Sequence, residues 1–117
     1  MDKLDNANIR NLVFYKFSGR CAYCGCKIEK YNFNIDHIKP LRRGDKTHPD
    51  KGDNLFTNYN PSCVSCNSSK SSMSIETWRN ELGLKVVRIN RDSSQYRILK
   101  RFGLVKEIKK KQNQILL

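Results

Sequence analysis

Two Cys-x-x-Cys pairs, Cys21/Cys24 and Cys63/Cys66, constrain this chain more than any other feature. Four thiolates spaced in this way close a tetrahedral site, because each pair places two sulfurs on one side of a metal. The 38 residues between the pairs exceed the usual ribbon spacing, so a folded element, a strand and its return, must sit between them. A zinc ion held by four thiolates has no open position for substrate; it staples a small core and does no chemistry itself. A fifth cysteine, Cys26, could replace Cys24 as a ligand, although Cys24 has the regular spacing. The bland reading is reduced, metal-free thiols, and two correctly spaced pairs in so short a chain argue against it.

A staple suits the rest of the composition. The chain has 117 residues, 38% of them hydrophobic, which allows one modest core. We read residues 1–117 as a single domain, with a core at 21–70 and a helical, basic extension at 71–117. No stretch approaches the roughly 18 apolar residues of a membrane span. The N-terminus (Met1, Asp2, Lys3, Leu4, Asp5) lacks the basic-then-apolar profile of a secretory signal, so a cytoplasmic protein without disulfides is expected.

The formal net charge is +12, and most of it is concentrated. Between Lys85 and Lys111 lie ten basic residues against only Asp92 and Glu107. Such a run attracts a polyanion, with counterion release driving a salt-dependent association. A merely solvated tail is the bland alternative. A membrane surface is a weaker third, because the run lacks a long apolar face.

Along the chain, Ile9, Leu12, Val13 and Phe17 fall at helical spacing and predict an amphipathic helix from Asn6 to Phe17, stopped by Ser18-Gly19. Gly25 then permits the tight turn of a zinc knuckle. Tyr31, Phe33 and Ile35 alternate with Asn32, Asn34 and Asp36, which predicts a strand with one apolar face. From Leu41 to Asn54 the chain is polar and broken by Gly and Pro, a loop. A second helix is expected after Ser74, with Ile75, Trp78 and Leu82 on one face and Gly83 just beyond its end. A third is expected from Asp92 to Phe102, closed by Gly103, with a frayed terminus after Lys109. Phe14, Phe17 and Trp78 read as core.

The segments "CAYCG" (21–25), "DHIxP" (36–40) and "NPSCxxCNxxK" (60–70) together resemble the HNH endonucleases, specifically the zinc-bracketed branch common among small phage proteins. The resemblance covers residues 21–70; "RFGLV" (101–105) is similar to phage relatives in a less distinctive way. It implies an α+β fold, the ββα-metal core of HNH (His-Me finger) enzymes, here stapled by the four-cysteine zinc site and flanked by helices. It implies cleavage of DNA phosphodiester bonds around one divalent ion, with DNA packaging or other DNA processing as settings in which a partner could take part.

Phosphodiester hydrolysis needs an activated water, charge neutralisation on the phosphoryl oxygens and a stabilised leaving oxygen. His37, with a reference pKa of about 6.5, can be neutral and take the proton from water. Asp36 and Asn67 offer hard oxygens suited to Mg²⁺ or Mn²⁺. By resemblance, Asn58 is the central Asn that holds the loop carrying the base. Asn67 stands where the family often has its final His, which alters the expected ion preference. Lys70 would share a helical face with Asn67 and contact a phosphate, as would Arg42 and Arg43 from the loop and Arg97, Lys100 and Arg101 from the basic extension.

Each of these residues has a plainer reading. His37 could be a half-buried histidine on the apolar face with Ile35, since regular alternation sends Asp36 and His37 to opposite sides of a strand. Asn67 could cap a helix, alone or in addition to binding a metal. Asn58 and Asn60 could form turns, and His48 is most simply a solvated loop residue. Two hypotheses follow: a metal-dependent endonuclease, or a zinc-ribbon module that binds nucleic acid without cutting it. The joint presence of Asp36, His37, Asn58 and Asn67 favours the enzyme. Backbone electrostatics serve DNA and RNA alike, and nothing in the sequence predicts a dimer surface.

Overall fold

The computed structural model of the protein describes residues 6–42, 47 and 51–108. The chain divides into two compact units, Met1–Ile75 and Glu76–Leu116. No helix among the described residues is long and apolar enough to cross a membrane.

The first unit opens with helix α1 (Asn6–Lys16). Ser18 and Gly19 follow with φ of 55° and 76°, the left-handed turn that ends it. Val13 is fully buried, and Phe14 packs at 5.7 Å against Phe33. Arg10 lies 4.4 Å over the Phe33 ring and donates to the Phe33 carbonyl at 2.9 Å, so its guanidinium covers that part of the core. Phe17, expected inside, is 42% exposed because α1 has already ended.

Strand β1 (Asn34–His37) pairs antiparallel with β2 (Tyr59–Ser62), in a register running from Asn34 opposite Ser62 to His37 opposite Tyr59. The expected strand began at Tyr31. A turn bridged by Glu29 and Asn32 instead leaves Tyr31 89% exposed, and only Phe33 of that stretch enters the core. Pro61, which cannot donate, is tolerated because both strands of a two-stranded sheet are edges; its carbonyl accepts from the Ala22 N–H at 2.9 Å and ties the knuckle to the sheet. A 3₁₀ turn (Phe56–Asn58) leads into β2, and helix α2 (Val64–Lys70) follows it and packs on β1. This strand, strand, helix order is the ββα arrangement.

The second unit holds helix α3 (Ile75–Asp92), whose first residue belongs to the other unit, and α4 (Ser94–Arg101). α3 runs through Gly83 for 18 residues, past the stop expected there. An interior Gly costs only about 1 kcal/mol, which the turns on both sides can offset. The break comes at Ser93, whose side chain accepts from the Tyr96 N–H, and Gly103 ends the second helix with φ 70°. Trp78 is buried as expected.

Candidate active site and metal centre

The knuckle forms because the Gly25 N–H reaches the Cys21 carbonyl at 3.0 Å, with Gly25 at φ 77°, and Arg20 bridges Lys27 below it. Across from it, Cys63 is the N-cap of α2: its sulfur accepts from the Cys66 N–H at 3.3 Å. The sulfurs of Cys21, Cys24, Cys63 and Cys66 all lie within 4.8 Å of one another, with Cys24 and Cys63 3.9 Å apart. A tetrahedron with metal–sulfur distances near 2.3 Å has edges of about 3.8 Å, so the cluster fits a zinc ion. Cys26 stands outside this set, and hydrogen bonding with Cys24 pushes its thiol up to about 12.

Burial pushes the Cys21 thiol up, but the backbone N–H groups of Cys24, Cys63 and Tyr23 pull it down to about 6. Burial raises Cys66. Within one cluster, then, one thiol is lowered and another raised. Zinc binding at about pH 7 is expected to release protons. Titration calorimetry in buffers of different ionisation enthalpy checks this; an enthalpy independent of buffer would contradict it.

The alternation of β1 is the reverse of the expected one. Asp36 is 5% exposed while Ile35 and His37 are half-buried. Asp36 can point inward because partners await it. The Tyr23 hydroxyl, from within the knuckle, donates to its Oδ2, and the Lys70 ammonium lies 3.0 Å from the same oxygen. Burial, then the Asp36 carboxylate, holds the Tyr23 hydroxyl far above its usual pKa. Asn60, opposite Asp36 in the sheet, donates to the Tyr23 oxygen at 3.4 Å. Lys70 also donates to the His37 carbonyl at 3.0 Å and is 0% exposed. The expectation that Lys70 reaches out to a phosphate is thus corrected: α2 turns its ammonium into the sheet, where it neutralises Asp36.

His37 ends β1 with its Nε2 3.0 Å from Asn54 Oδ1, and Tyr59 meets the ring edge-on at 5.2 Å. Sequence reasoning missed Asn54, which lay in a stretch read only as loop. Asn58 is buried and spends its side chain on backbone. Its Oδ1 accepts from the Lys39 N–H at 2.8 Å, and its Nδ2 donates to the carbonyls of Lys39 at 3.1 Å and Asp53 at 2.9 Å. The segment just after His37 is fixed by these bonds. Asn67 is interior to α2, so Cys63 and not Asn67 caps that helix. It lies one turn before Lys70, on the same side.

The other basic residues differ in availability. Arg42, with φ 54°, donates to the Ser72 carbonyl at 3.4 Å. Arg43 and His48 lie outside the described residues. Arg97 and Lys100, expected at a phosphate, have structural partners: Arg97 donates to the carbonyls of Asn90 and Arg91 at the end of α3, and Lys100 bonds Asn90 Oδ1 at 2.9 Å and Glu107 at 2.8 Å. Unsatisfied carbonyls at a helix end attract such cations. Arg101 remains exposed.

The family model described as HNH endonuclease matches residues 21–73. Residues 21–73 are an HNH domain. Over 85 residues, 72% of this chain, the sequence is 36% identical to "SPbeta prophage-derived putative HNH endonuclease YoqL" of Bacillus subtilis (strain 168), and the chain spans 34% of that relative's length. Among solved structures, the Type II-C Cas9 enzyme from Actinomyces naeslundii is similar over 71% of this chain and 9% of its own, with 25% identity and a TM-score of 0.55. The HNH domain thus takes in all four clustered cysteines, Asp36, His37, Asn58 and Asn67.

Proposed function

We propose that the chain is a metal-dependent endonuclease that hydrolyses DNA phosphodiester bonds. The observation that carries this reading is His37, standing at the end of β1 of the HNH domain with a half-exposed imidazole beside the buried carboxylate of Asp36. His37 takes the proton from the attacking water. Asn58 keeps the chain after His37 from drifting, through its bonds to both backbone groups of Lys39. Asp36 and Asn67 would hold Mg²⁺ or Mn²⁺. The donor set fits, because a carboxylate has about four lone-pair sites, and Tyr23 and Lys70 do not exhaust them. When bound, the ion supplies charge neutralisation on the phosphoryl oxygens. Zinc at the four cysteines is structural in this reading. Arg42 and Arg101, together with Arg43, are left to contact the DNA backbone, and a prophage-derived relative favours a phage DNA-processing setting. A single site in one protomer nicks one strand; a double-strand cut needs two protomers or two encounters.

The test is relaxation of supercoiled plasmid at low salt with Mg²⁺ and then Mn²⁺, comparing the native protein with His37→Ala after both are shown to retain zinc. Loss of a general base lowers the rate by about 10²–10⁴-fold. Open circles from the native protein alone are expected. Equal cutting by both would remove His37 from the chemistry. A salt-sensitive mobility shift without any cutting would instead make the chain a binding module.

A further inference from the structure

His37 has a partner that none of the motif segments read from the sequence contains. Its Nε2 is 3.0 Å from Asn54 Oδ1. Asn54 is exposed, so an unsupported side chain there would sample several rotamers. The backbone that carries it is held at Asn54 itself and at Asp53 before it. The Tyr59 hydroxyl donates to the Asn54 carbonyl at 2.9 Å, while the Tyr59 ring stands edge-on to the imidazole at 87°. On one side of Asn54, the Leu55 N–H reaches Asp53 Oδ1 at 3.0 Å. The Asn58 amide holds the Asp53 carbonyl at 2.9 Å. Tyr59 is also the residue opposite His37 in the sheet, so one tyrosine braces the ring and the backbone of the residue whose amide the ring touches.

An amide oxygen only accepts a hydrogen bond, so the ring nitrogen facing it carries the proton. We propose that Asn54, held by Tyr59, is the positioning residue for His37, keeping the proton on Nε2 and leaving the Nδ1 lone pair to act as the base. The inference rests on the nuclease reading above and names the atom that acts within it. In the step, the oxygen of water bonds to phosphorus and its proton passes to Nδ1. The ester P–O bond breaks, and the departing oxygen takes a proton from solvent. The imidazolium then returns its proton to solvent. As charge builds on the ring, the Nε2–H bond to Asn54 becomes charge-assisted and shortens, so Asn54 favours the transition state over the ground state.

The chain has two histidines, so in a His48→Gln background every imidazole signal belongs to His37. Nitrogen-15 correlation spectra at about pH 9, well above the reference imidazole pKa of about 6.5, read the tautomer without reference to DNA cleavage. Nε2 is expected to be pyrrole-like and Nδ1 pyridine-like. Asn54→Ala is expected to average the two, and Asn54→Asp to restore the native pattern. A proton on Nδ1 in the native spectrum, or a spectrum that Asn54→Ala leaves unchanged, overturns the proposal whether or not the protein cuts DNA. In the plasmid assay, Asn54→Ala should lower kcat by about 10²-fold at constant KM, the cost of a misaimed group. Tyr59→Phe should lower it by less, and Asn54→Asp should recover most of the rate. A change confined to KM, or a failure of Asn54→Asp to recover, counts equally against it.

Discussion

Stripping the metal from Cys21, Cys24, Cys63 and Cys66 is expected to abolish the cooperative calorimetric transition of the HNH domain. Structural zinc sites have apparent binding free energies of about 10–16 kcal/mol near pH 7, and that free energy is folding free energy. The remaining core is too small to compensate. Among the described residues, the buried apolar side chains of the first unit are Val13, Cys21, Ala22, Tyr23, Ile28 and Phe33, with Pro40 and Pro61 beside them, and three of these belong to the knuckle itself. Each contributes at most about 1.5–3 kcal/mol, against a chain entropy that rises with every ordered residue. Cys63→Ser should match the chelated protein, because a serine can still cap α2 but does not supply the thiolate the metal needs. Cys26→Ser should keep its metal and its transition. Scanning calorimetry beside zinc analysis decides the matter, and a transition that survives complete zinc removal would refute the staple.

The second large effect concerns the ion pair inside the fold. Lys70→Met leaves the Asp36 carboxylate buried beside Tyr23 with no compensating charge, and breaking such a pair costs about 3–5 kcal/mol. Asp36→Asn strands the ammonium of Lys70 and should cost a similar amount. The double variant should lose much less than the sum of the two, because it removes both charges together. Urea unfolding of the four proteins in a double-mutant cycle measures the coupling. Additive losses would mean that the two charges do not depend on each other.

What could be read from the residues, and what could not, follows from the range of the interactions. Cysteine spacing is a local constraint with one good solution, so the metal cluster was legible before any coordinates. So was the end of α1, where Ser18-Gly19 supplies the left-handed turn. The inward turn of Asp36 was not, because alternation assumes that a carboxylate prefers water. The hydroxyl and ammonium that make burial acceptable come from positions 13 residues before it and 34 after it. Lys70 misled for the same reason: a lysine in sequence carries no sign that its charge is taken. Gly83 looked like a stop, yet only tertiary context tells a tolerated helical glycine from a terminal one. Arg97 and Lys100 counted as free charge until the carbonyls at the end of α3 were seen to claim the first, and the Asn90 side chain and Glu107 the second. Asn54 had no periodicity to betray it; the one hint was an asparagine four residues ahead of Asn58 in a stretch otherwise read as loop.

The loop after β1 has a narrow neck. The Gly52 N–H meets the Pro40 carbonyl at 2.8 Å, and a Cβ at Gly52 would overlap the Lys39 carbonyl, so the two strands of the neck touch without a side chain between them. Asn58 rivets the same place by holding Lys39 and Asp53 together. Mechanically, the neck clamps Lys39 and Pro40 against Gly52 and Asp53, so the chain leaves β1 and comes back toward Asn54 at a fixed gauge, and the two flanks of the imidazole are set by one rivet.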